Sequence, residues 1–109
     1  MAMAIVSWDL PPRELMGAYE ERARTDWVPT VLRQPGVEEF RALRNAFRTS
    51  PQAMTITVYD SLAAALRFPG TEDFARVMED MRAAGCTNVT MQLWDVSPLV
   101  PEPLRPAGR

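Results

Sequence analysis

The residue types that this sequence lacks restrict its chemistry strongly. The 109 residues include no histidine and no lysine, which removes the commonest general base, the commonest metal ligand and lysine Schiff-base chemistry. The one cysteine, Cys86, follows Gly85 at a predicted helix C-terminus, where the helix dipole disfavours a thiolate. Catalysis would have to use carboxylates, tyrosine, arginine, asparagine or tryptophan. We predict no metal, haem or other cofactor.

Length and charge exclude several classes of protein. A chain of 109 residues with 47% apolar residues is expected to form one globular domain. The net charge of −2 argues against a surface that neutralises nucleic-acid phosphates. No apolar run reaches the roughly 20 residues of a membrane span, and the first residues do not resemble a signal peptide. We therefore expect no nucleic-acid partner, no membrane insertion and a cytoplasmic location.

Residues 51–60 contain the clearest strand pattern of the chain. Side chains alternate with a period of two, as in a strand whose two faces differ. The apolar side consists of Met54, Ile56 and Val58, and the other side consists of Thr55, Thr57 and Tyr59. In residues 89–94, Val89, Met91 and Leu93 alternate in the same way with Thr90, Gln92 and Trp94. We predict two strands whose more apolar sides face helices.

The first strand and the first helix precede this pattern. Residues 3–8 are apolar without alternation, which is typical of a central strand. Pro11-Pro12 then opens a helix, because the first turn does not need a proline N–H. Pro29 cannot lie deep inside a helix, so we predict a break at residues 25–26 and a second short helix that Asp26 caps.

The remaining elements follow from turn and capping residues. Residues 37–47 predict a second strand, and their untidy alternation indicates an edge strand with a bulge. The turn at 49–51 joins it to the strand predicted within residues 51–60 as a hairpin. Ser61 and Thr71 are expected to cap two further helices, and Gly85 to end the last one.

The predicted order is strand, helix, strand, strand, helix, strand. This is the ferredoxin-like βαββαβ fold of the α+β class, a four-stranded antiparallel sheet with helices on one face. Tyr59 and Trp94 share the side that we predict to face away from the helices. Because leaving two aromatic rings in water is unfavourable, we predict a homodimer that buries both of them, sheet against sheet.

The C-terminal segment differs from the rest of the chain. We place the domain at residues 1–97 and a proline-rich tail at 98–109. Its prolines cannot join a sheet, so the tail is expected to be an extended arm or disordered. Leu99, Val100 and Leu104 are the residues that could anchor it to a surface.

Three segments resemble a known superfamily. They are Gln-Pro-Gly-Val at 34–37, Val-Tyr-Asp-Ser-Leu-Ala-Ala-Ala at 58–65 and Thr-Glu-Asp-Phe at 71–74. In these segments the sequence resembles the dimeric α+β barrel superfamily, and within it the antibiotic-biosynthesis-monooxygenase-like domains. The resemblance spans residues 1–97 and implies a pocket between sheet and helices.

The resemblance also allows one branch of the superfamily to be tested. The haem-degrading members use an asparagine, a tryptophan and an axial histidine at positions that align here with Ser7, Phe68 and Met78. None of the three is retained, so haem degradation is not expected. The quinone-oxygenase members use asparagine, tryptophan, tyrosine and arginine to hold an aromatic substrate whose enolate reacts with oxygen.

Six residues follow as site candidates from that comparison. Asn45 and Arg44 are the candidate catalytic hydrogen-bond donors, and Trp27, Tyr59, Phe68 and Trp94 are the candidate substrate-binding residues. The implied function is a cofactor-independent monooxygenase of an aromatic or quinol small molecule.

Three alternatives remain open at this stage. The chain could be a small isomerase or cyclase that uses Asp9 or Asp60. It could instead be a binding module for an apolar ligand, or a purely structural dimer. A cavity of about 300 Å³ or more with converging polar groups would favour a catalytic function. An apolar cavity without polar groups would favour the binding module, and a solid interior would favour the structural dimer.

Overall fold

The structure is a computed structural model that describes residues 1–107. The strands are β1 (Ala2–Asp9), β2 (Val37–Arg44), β3 (Ala53–Tyr59) and β4 (Thr87–Asp95), and the α-helices are α1 (Met16–Arg22), α2 (Val28–Leu32), α3 (Leu62–Arg67) and α4 (Glu72–Ala83). A π-helical turn, Ala23–Trp27, joins α1 to α2. Short 3-10 turns precede α1 at Arg13–Leu15 and follow α3 at Phe68–Gly70.

One antiparallel sheet with the order β2-β3-β1-β4 carries the helices. The central position of β1 and the edge position of β2 agree with the apolar run and the irregular alternation of their sequences. The register of β2 against β3 shifts between Val37 and Glu39, which is the predicted bulge. The predicted ferredoxin-like α+β fold is confirmed.

The helix ends are formed by the residues that the sequence indicated. The Ser61 hydroxyl accepts a hydrogen bond from the Ala64 N–H at 3.1 Å, and Thr71 accepts one from Phe74 at 3.1 Å. Gly85 has φ +102°, the left-handed conformation that ends α4.

The predicted break at residues 25–26 is wrong, because the helix continues through the π turn. The Val28 N–H bonds to the Ala23 carbonyl, five residues earlier, and Pro29 then lies in the first turn of α2. A proline in that position costs little, since its missing N–H is not required there. Asp26 makes no capping bond and is used elsewhere.

The predicted orientation of β3 is also wrong. The register pairs Ala4 with Thr57, and both are buried beneath the helices, at 3% and 5% exposure. Tyr59 lies on the same side and is 1% exposed, so Met54, Ile56 and Val58 face outwards. The alanines of β1 on that side leave room for threonine and tyrosine, whereas apolarity alone favoured the opposite orientation.

The orientation of β4 agrees with the prediction. Met91 and Leu93 lie on the helix side, opposite Val6 and Ala4, and Trp94 lies on the outer side, where it is 54% exposed. Tyr59 and Trp94 therefore lie on opposite faces of the sheet. They cannot share one interface.

The chain after β4 has no regular secondary structure through residue 107. Val100 lines a shallow groove with Met3 and Trp94, whereas Leu99 and Leu104 are 88% and 80% exposed. Residues 108–109 of the predicted tail lie outside the described residues. Within the described chain, no helix has the length and apolarity to cross a membrane.

Candidate ligand-binding cavity

A cavity of about 450 Å³ lies between the sheet and the helices. Its volume is in the range of small-molecule sites. The walls are mainly apolar and come from every strand, from α1 to α2 with the π turn between them, and from α4. The aromatic residues of the wall are Trp8, Tyr19, Trp27, Phe40, Tyr59, Phe68 and Phe74.

A row of hydroxyl groups crosses one wall of the cavity. Thr55, Thr57 and Tyr59 project from the helix side of β3 at every second residue, so their Cβ atoms are about 7 Å apart along the strand. No side-chain nitrogen or oxygen in residues 1–107 is both fully enclosed and without a partner. The Thr57 and Tyr59 hydroxyls bond to no other side chain in that range, and both residues line the cavity.

A second tyrosine approaches from the helix side. Tyr19 on α1 is 6% exposed, and its hydroxyl accepts a hydrogen bond from the Trp8 indole at 3.0 Å. Burial raises the pKa of Tyr19, an effect that the bond from Trp8 opposes. Burial also raises the pKa of Tyr59. Both tyrosines are therefore neutral hydrogen-bond donors at neutral pH.

The π turn places Trp27 in the cavity wall. Its ring centroid lies 5.7 Å from that of Tyr19, and its indole nitrogen donates to Asp80 on α4 at 3.2 Å. Arg22 pairs with the same Asp80 carboxylate. The wall is thus connected to α4 by an oriented hydrogen bond.

Asp26 makes a second connection between the helices. It pairs with Arg76 of α4 at 2.5 Å and accepts a hydrogen bond from Thr30 at 3.1 Å. The hydrogen bond from Arg76 is the largest cause that lowers the pKa of Asp26. This is the role of Asp26 in place of the predicted helix cap.

Three charged residues are part of the cavity lining. Arg24, Arg44 and Glu20 are exposed lining residues, and Glu20 is the one carboxylate among the residues of the wall. Arg24 pairs with Glu21, whereas Arg44 makes no ion pair within the described chain. An anionic group of a ligand could therefore be compensated by Arg44.

The structure brings four of the six candidate residues to this cavity. Arg44, Trp27, Tyr59 and Phe68 line it, and Phe68 packs edge-on against Phe74 with centroids 5.4 Å apart. Trp94 lies on the other face of the sheet.

Asn45 is not among the lining residues. Its amide donates to the Thr49 carbonyl and hydroxyl and to the Pro51 carbonyl, each at 3.1 Å. Its side-chain oxygen accepts the Phe47 N–H at 2.9 Å. Asn45 therefore holds the β2–β3 turn.

Asp9 and Cys86 have surroundings that indicate a structural role. Asp9 accepts hydrogen bonds from Asn88, Ser50 and Gln52, and the bond from Asn88 is the largest cause that lowers its pKa. Cys86 is buried, which raises its pKa to about 11, so it is a poor nucleophile. No cluster of metal-ligating side chains exists among residues 1–107.

Three hydroxyl-bearing residues of the cavity wall are absent from the sequence-based site. The alternation predicts Thr55 and Thr57 on the opposite side of β3, and Tyr19 is not among the six candidates. A signal for Tyr19 was present, since a hydroxyl on an otherwise apolar helix stripe needs a partner when it is buried.

No family model matches the sequence, and no curated protein matches it either. Solved structures do match. A proposed antibiotic biosynthesis monooxygenase from Deinococcus radiodurans superposes with a TM-score of 0.76 at 8% identity, covering 99% of this chain and 100% of its own. HapK from Hahella chejuensis gives 0.70 at 16% identity, over 90% and 94% of the two chains.

A third structure, SnoaB, is a cofactor-independent oxygenase from Streptomyces nogalater. It gives a TM-score of 0.59 at 20% identity and covers 93% of this chain and 95% of its own. At such identities the likeness concerns the fold. The chain has the fold of the antibiotic-biosynthesis-monooxygenase-like proteins, as its sequence predicted.

Proposed function

We propose that this protein binds a flat, largely apolar ring compound with an acidic hydroxyl in the central cavity, and that it catalyses the reaction of this compound with O2 without a cofactor. The cavity itself carries the proposal, because it combines about 450 Å³ of volume and aromatic walls with hydroxyl-bearing residues in its lining. A purely structural dimer has no need of such an interior.

The oxygenase chemistry is compatible with the residues of this chain. A deprotonated phenol or enol can reduce O2 by one electron, and recombination of the ring radical with superoxide forms a carbon-bound peroxide anion. This anion takes up a proton from water and becomes a hydroperoxide. Loss of water then leaves a carbonyl, so that a ring CH2 and O2 become C=O and H2O. The cycle needs no histidine, metal or flavin. The likeness to SnoaB supports it.

The protein would contribute binding, orientation and charge stabilisation. Hydroxyl donors from Tyr19, Thr57 and Tyr59 stabilise a ligand oxyanion, and the apolar walls keep water from the intermediates. The proton leaves the ligand toward water, for which Glu20 and Arg44, exposed residues of the lining, provide polar surroundings.

Oxygen consumption tests this proposal. Purified protein without flavin or metal is mixed with anthrone or 1-naphthol, and oxygen uptake is compared with the spontaneous rate. Ala42→Trp should fill part of the cavity and abolish the excess rate and the binding, whereas Ala63→Trp, on an exposed position of α3, is the matched control. Arg44→Ala should lower the rate and Asn45→Ala should act on stability alone.

The result separates catalysis from binding. Cavity-dependent binding without excess oxygen uptake would reject the oxygenase and leave the alternative of a binding module. Ligand binding that Ala42→Trp does not weaken would reject the cavity as the site.

We also propose a homodimer through the outer face of the sheet. That face carries apolar side chains that the helices do not cover, namely Met3, Ile5, Met54, Ile56, Val58 and Trp94. A contiguous apolar face of this kind is typical of an interface. Tyr59 takes no part in it, because its side chain lies under the helices.

A further inference from the structure

Tyr19 has the most completely oriented hydroxyl in the cavity. The Trp8 indole N–H occupies one lone pair of its oxygen at 3.0 Å. In the described part of the chain the hydroxyl proton has no acceptor. A phenol hydrogen lies close to the ring plane. Because the Trp8 N–H already points at the oxygen from one side, the O–H bond of Tyr19 must point away from Trp8.

The ring of Tyr19 is fixed from a second side. Trp27 packs against it at a tilt of 59°, and Asp80 holds Trp27 through the indole nitrogen. Two tryptophans from different elements thus determine where the hydroxyl lies and which way it donates. Such fixed donors stabilise charge well, because they need no reorganisation when the charge forms.

We propose that Tyr19 binds the oxygen atom of the cavity's ligand and that Trp8 positions it to do so. The inference rests on the proposed function and assigns the ligand's oxyanion to Tyr19 rather than to Thr57 or Tyr59. The ligand would be a ring compound, a phenol or an enol, that binds as its oxyanion.

The charges around Tyr19 agree with this assignment. Arg44 on β2, Glu20 on α1 and Cys86 before β4 are the charged or titratable groups that act on it. Burial dominates, so the phenol stays protonated and can donate. The bond from Trp8 makes the Tyr19 O–H a stronger donor by polarising it. Arg44 favours a negative charge nearby.

Tyr59 is less suited to this role. It is more deeply buried, at 1% exposure, among Ala2, Ala64 and Ala65. No side chain of residues 1–107 donates to its hydroxyl, so nothing orients its proton. Tyr59 contributes apolar wall area and a hydroxyl that can rotate, whereas the hydroxyl of Tyr19 donates in a fixed direction.

Two probes of similar shape test the assignment. 4-Nitro-1-naphthol ionises to a coloured oxyanion, and 1-nitronaphthalene has no hydroxyl. Tyr19→Phe should weaken binding of the ionised probe roughly 10-fold, the usual effect of a lost hydrogen bond to a charged group. It should raise the pKa of the bound probe by about one unit. Binding of 1-nitronaphthalene should change less than about twofold.

Trp8→Phe tests the positioning. It keeps Tyr19 but removes the indole donor. The pKa of the bound 4-nitro-1-naphthol should therefore rise by less than in Tyr19→Phe, and the affinity for 1-nitronaphthalene should change little. Thr25→Ala, an exposed hydroxyl on the same helical segment outside the cavity, is the matched control. It should leave both probes unaffected.

Three results would overturn the inference. Equal weakening of both probes by Tyr19→Phe would show a role in packing alone, and no weakening of either would show that the hydroxyl does not contact the ligand. Failure of the unaltered protein to bind either probe would reject the proposed function and the Tyr19 assignment together.

Discussion

The indole nitrogen of Trp27 lies 3.2 Å from a carboxylate oxygen of Asp80, and this bond attaches the cavity wall to α4. The Asp80 carboxylate also pairs with Arg22. Asp80→Ala should therefore lower the free energy of unfolding by about 1–3 kcal/mol, because Trp27 is left with a buried donor and no partner.

Urea denaturation followed by tryptophan fluorescence measures this effect. Glu79→Ala, one position earlier on α4, is the matched control, since Arg82 is the one ion-pair partner of Glu79 among residues 1–107 and the pair lies on an exposed surface. It should change stability by less than about 0.5 kcal/mol. Similar losses in the two variants would contradict a specific role for Asp80.

Two glycines should respond in opposite directions to alanine. Gly36 has φ +87°, and a Cβ there would lie 2.7 Å from the Ala64 Cβ and 2.8 Å from an Asp60 oxygen. Gly36→Ala should cost about 2 kcal/mol or more. Gly17, inside α1, has nothing within 4 Å of its added Cβ, so Gly17→Ala should stabilise by about 0.5–1 kcal/mol. Thermal melts of the two variants test both signs, and a stable Gly36→Ala would contradict the close approach.

Stability should fall in acid partly because of Asp26. Its pKa lies below the ordinary 3.8 in the folded protein, chiefly through the hydrogen bond from Arg76. The stabilisation is complete above the unfolded pKa, decreases as the pH falls below it, and is lost once the folded carboxylate is protonated.

Urea midpoints between pH 6 and pH 2 measure this dependence. In Asp26→Asn and Arg76→Gln, the urea midpoint should fall less steeply as the pH decreases. The first variant removes the titrating group, and the second removes the main cause of its pKa shift. A fall as steep as that of the unaltered protein in both variants would show that the pair contributes nothing to the acid dependence.

The outer face of the sheet predicts the assembly state. Sedimentation should give a mass twice the 12.3 kDa of one chain. Ile56→Glu, at the centre of the face, should produce monomers, because a dimer would bury its charge. Leu66→Glu, on an exposed position of α3, should not. A monomer at micromolar concentration for the unaltered protein would reject the dimer.

Removal of the tail should have a small effect. Val100 is the one anchor of the three expected that lies in a groove of this chain, and it is still 43% exposed. Truncation after Pro98 should cost about 1 kcal/mol, or roughly 4–8 °C in melting temperature. Loss of folding would show that the segment belongs to the domain.

The sequence predicted the fold better than the site, for physical reasons. Caps and glycines act locally, so Ser61, Thr71 and Gly85 could be identified from their neighbours alone. The face of β3 depends on what packs against it. Thr57 and Tyr59 fit beneath the helices because β1 presents small alanines there and a cavity lies next to them. The sequence pattern of β3 alone does not show that this space exists.

The same distinction explains the outcome for Asn45 and Tyr19. The residue type of Asn45 suits a catalytic donor, but the turn at 49–51 already satisfies its amide. The partner of Tyr19, Trp8, lies eleven positions earlier on another element, so neighbouring residues do not reveal the bond. Long-range hydrogen bonds of this kind are properties of the fold.

The π turn has a consequence for comparing this chain with its relatives. An i to i+5 turn is equivalent to one residue inserted into an α-helix. A protein that lacks the insertion would have every following side chain rotated by about 100° around the helix axis. Val28 and Val31 would then leave the cavity wall. A correct alignment with a relative whose helix is regular must place a one-residue gap within Ala23–Trp27, and an ungapped alignment would match cavity residues to surface residues.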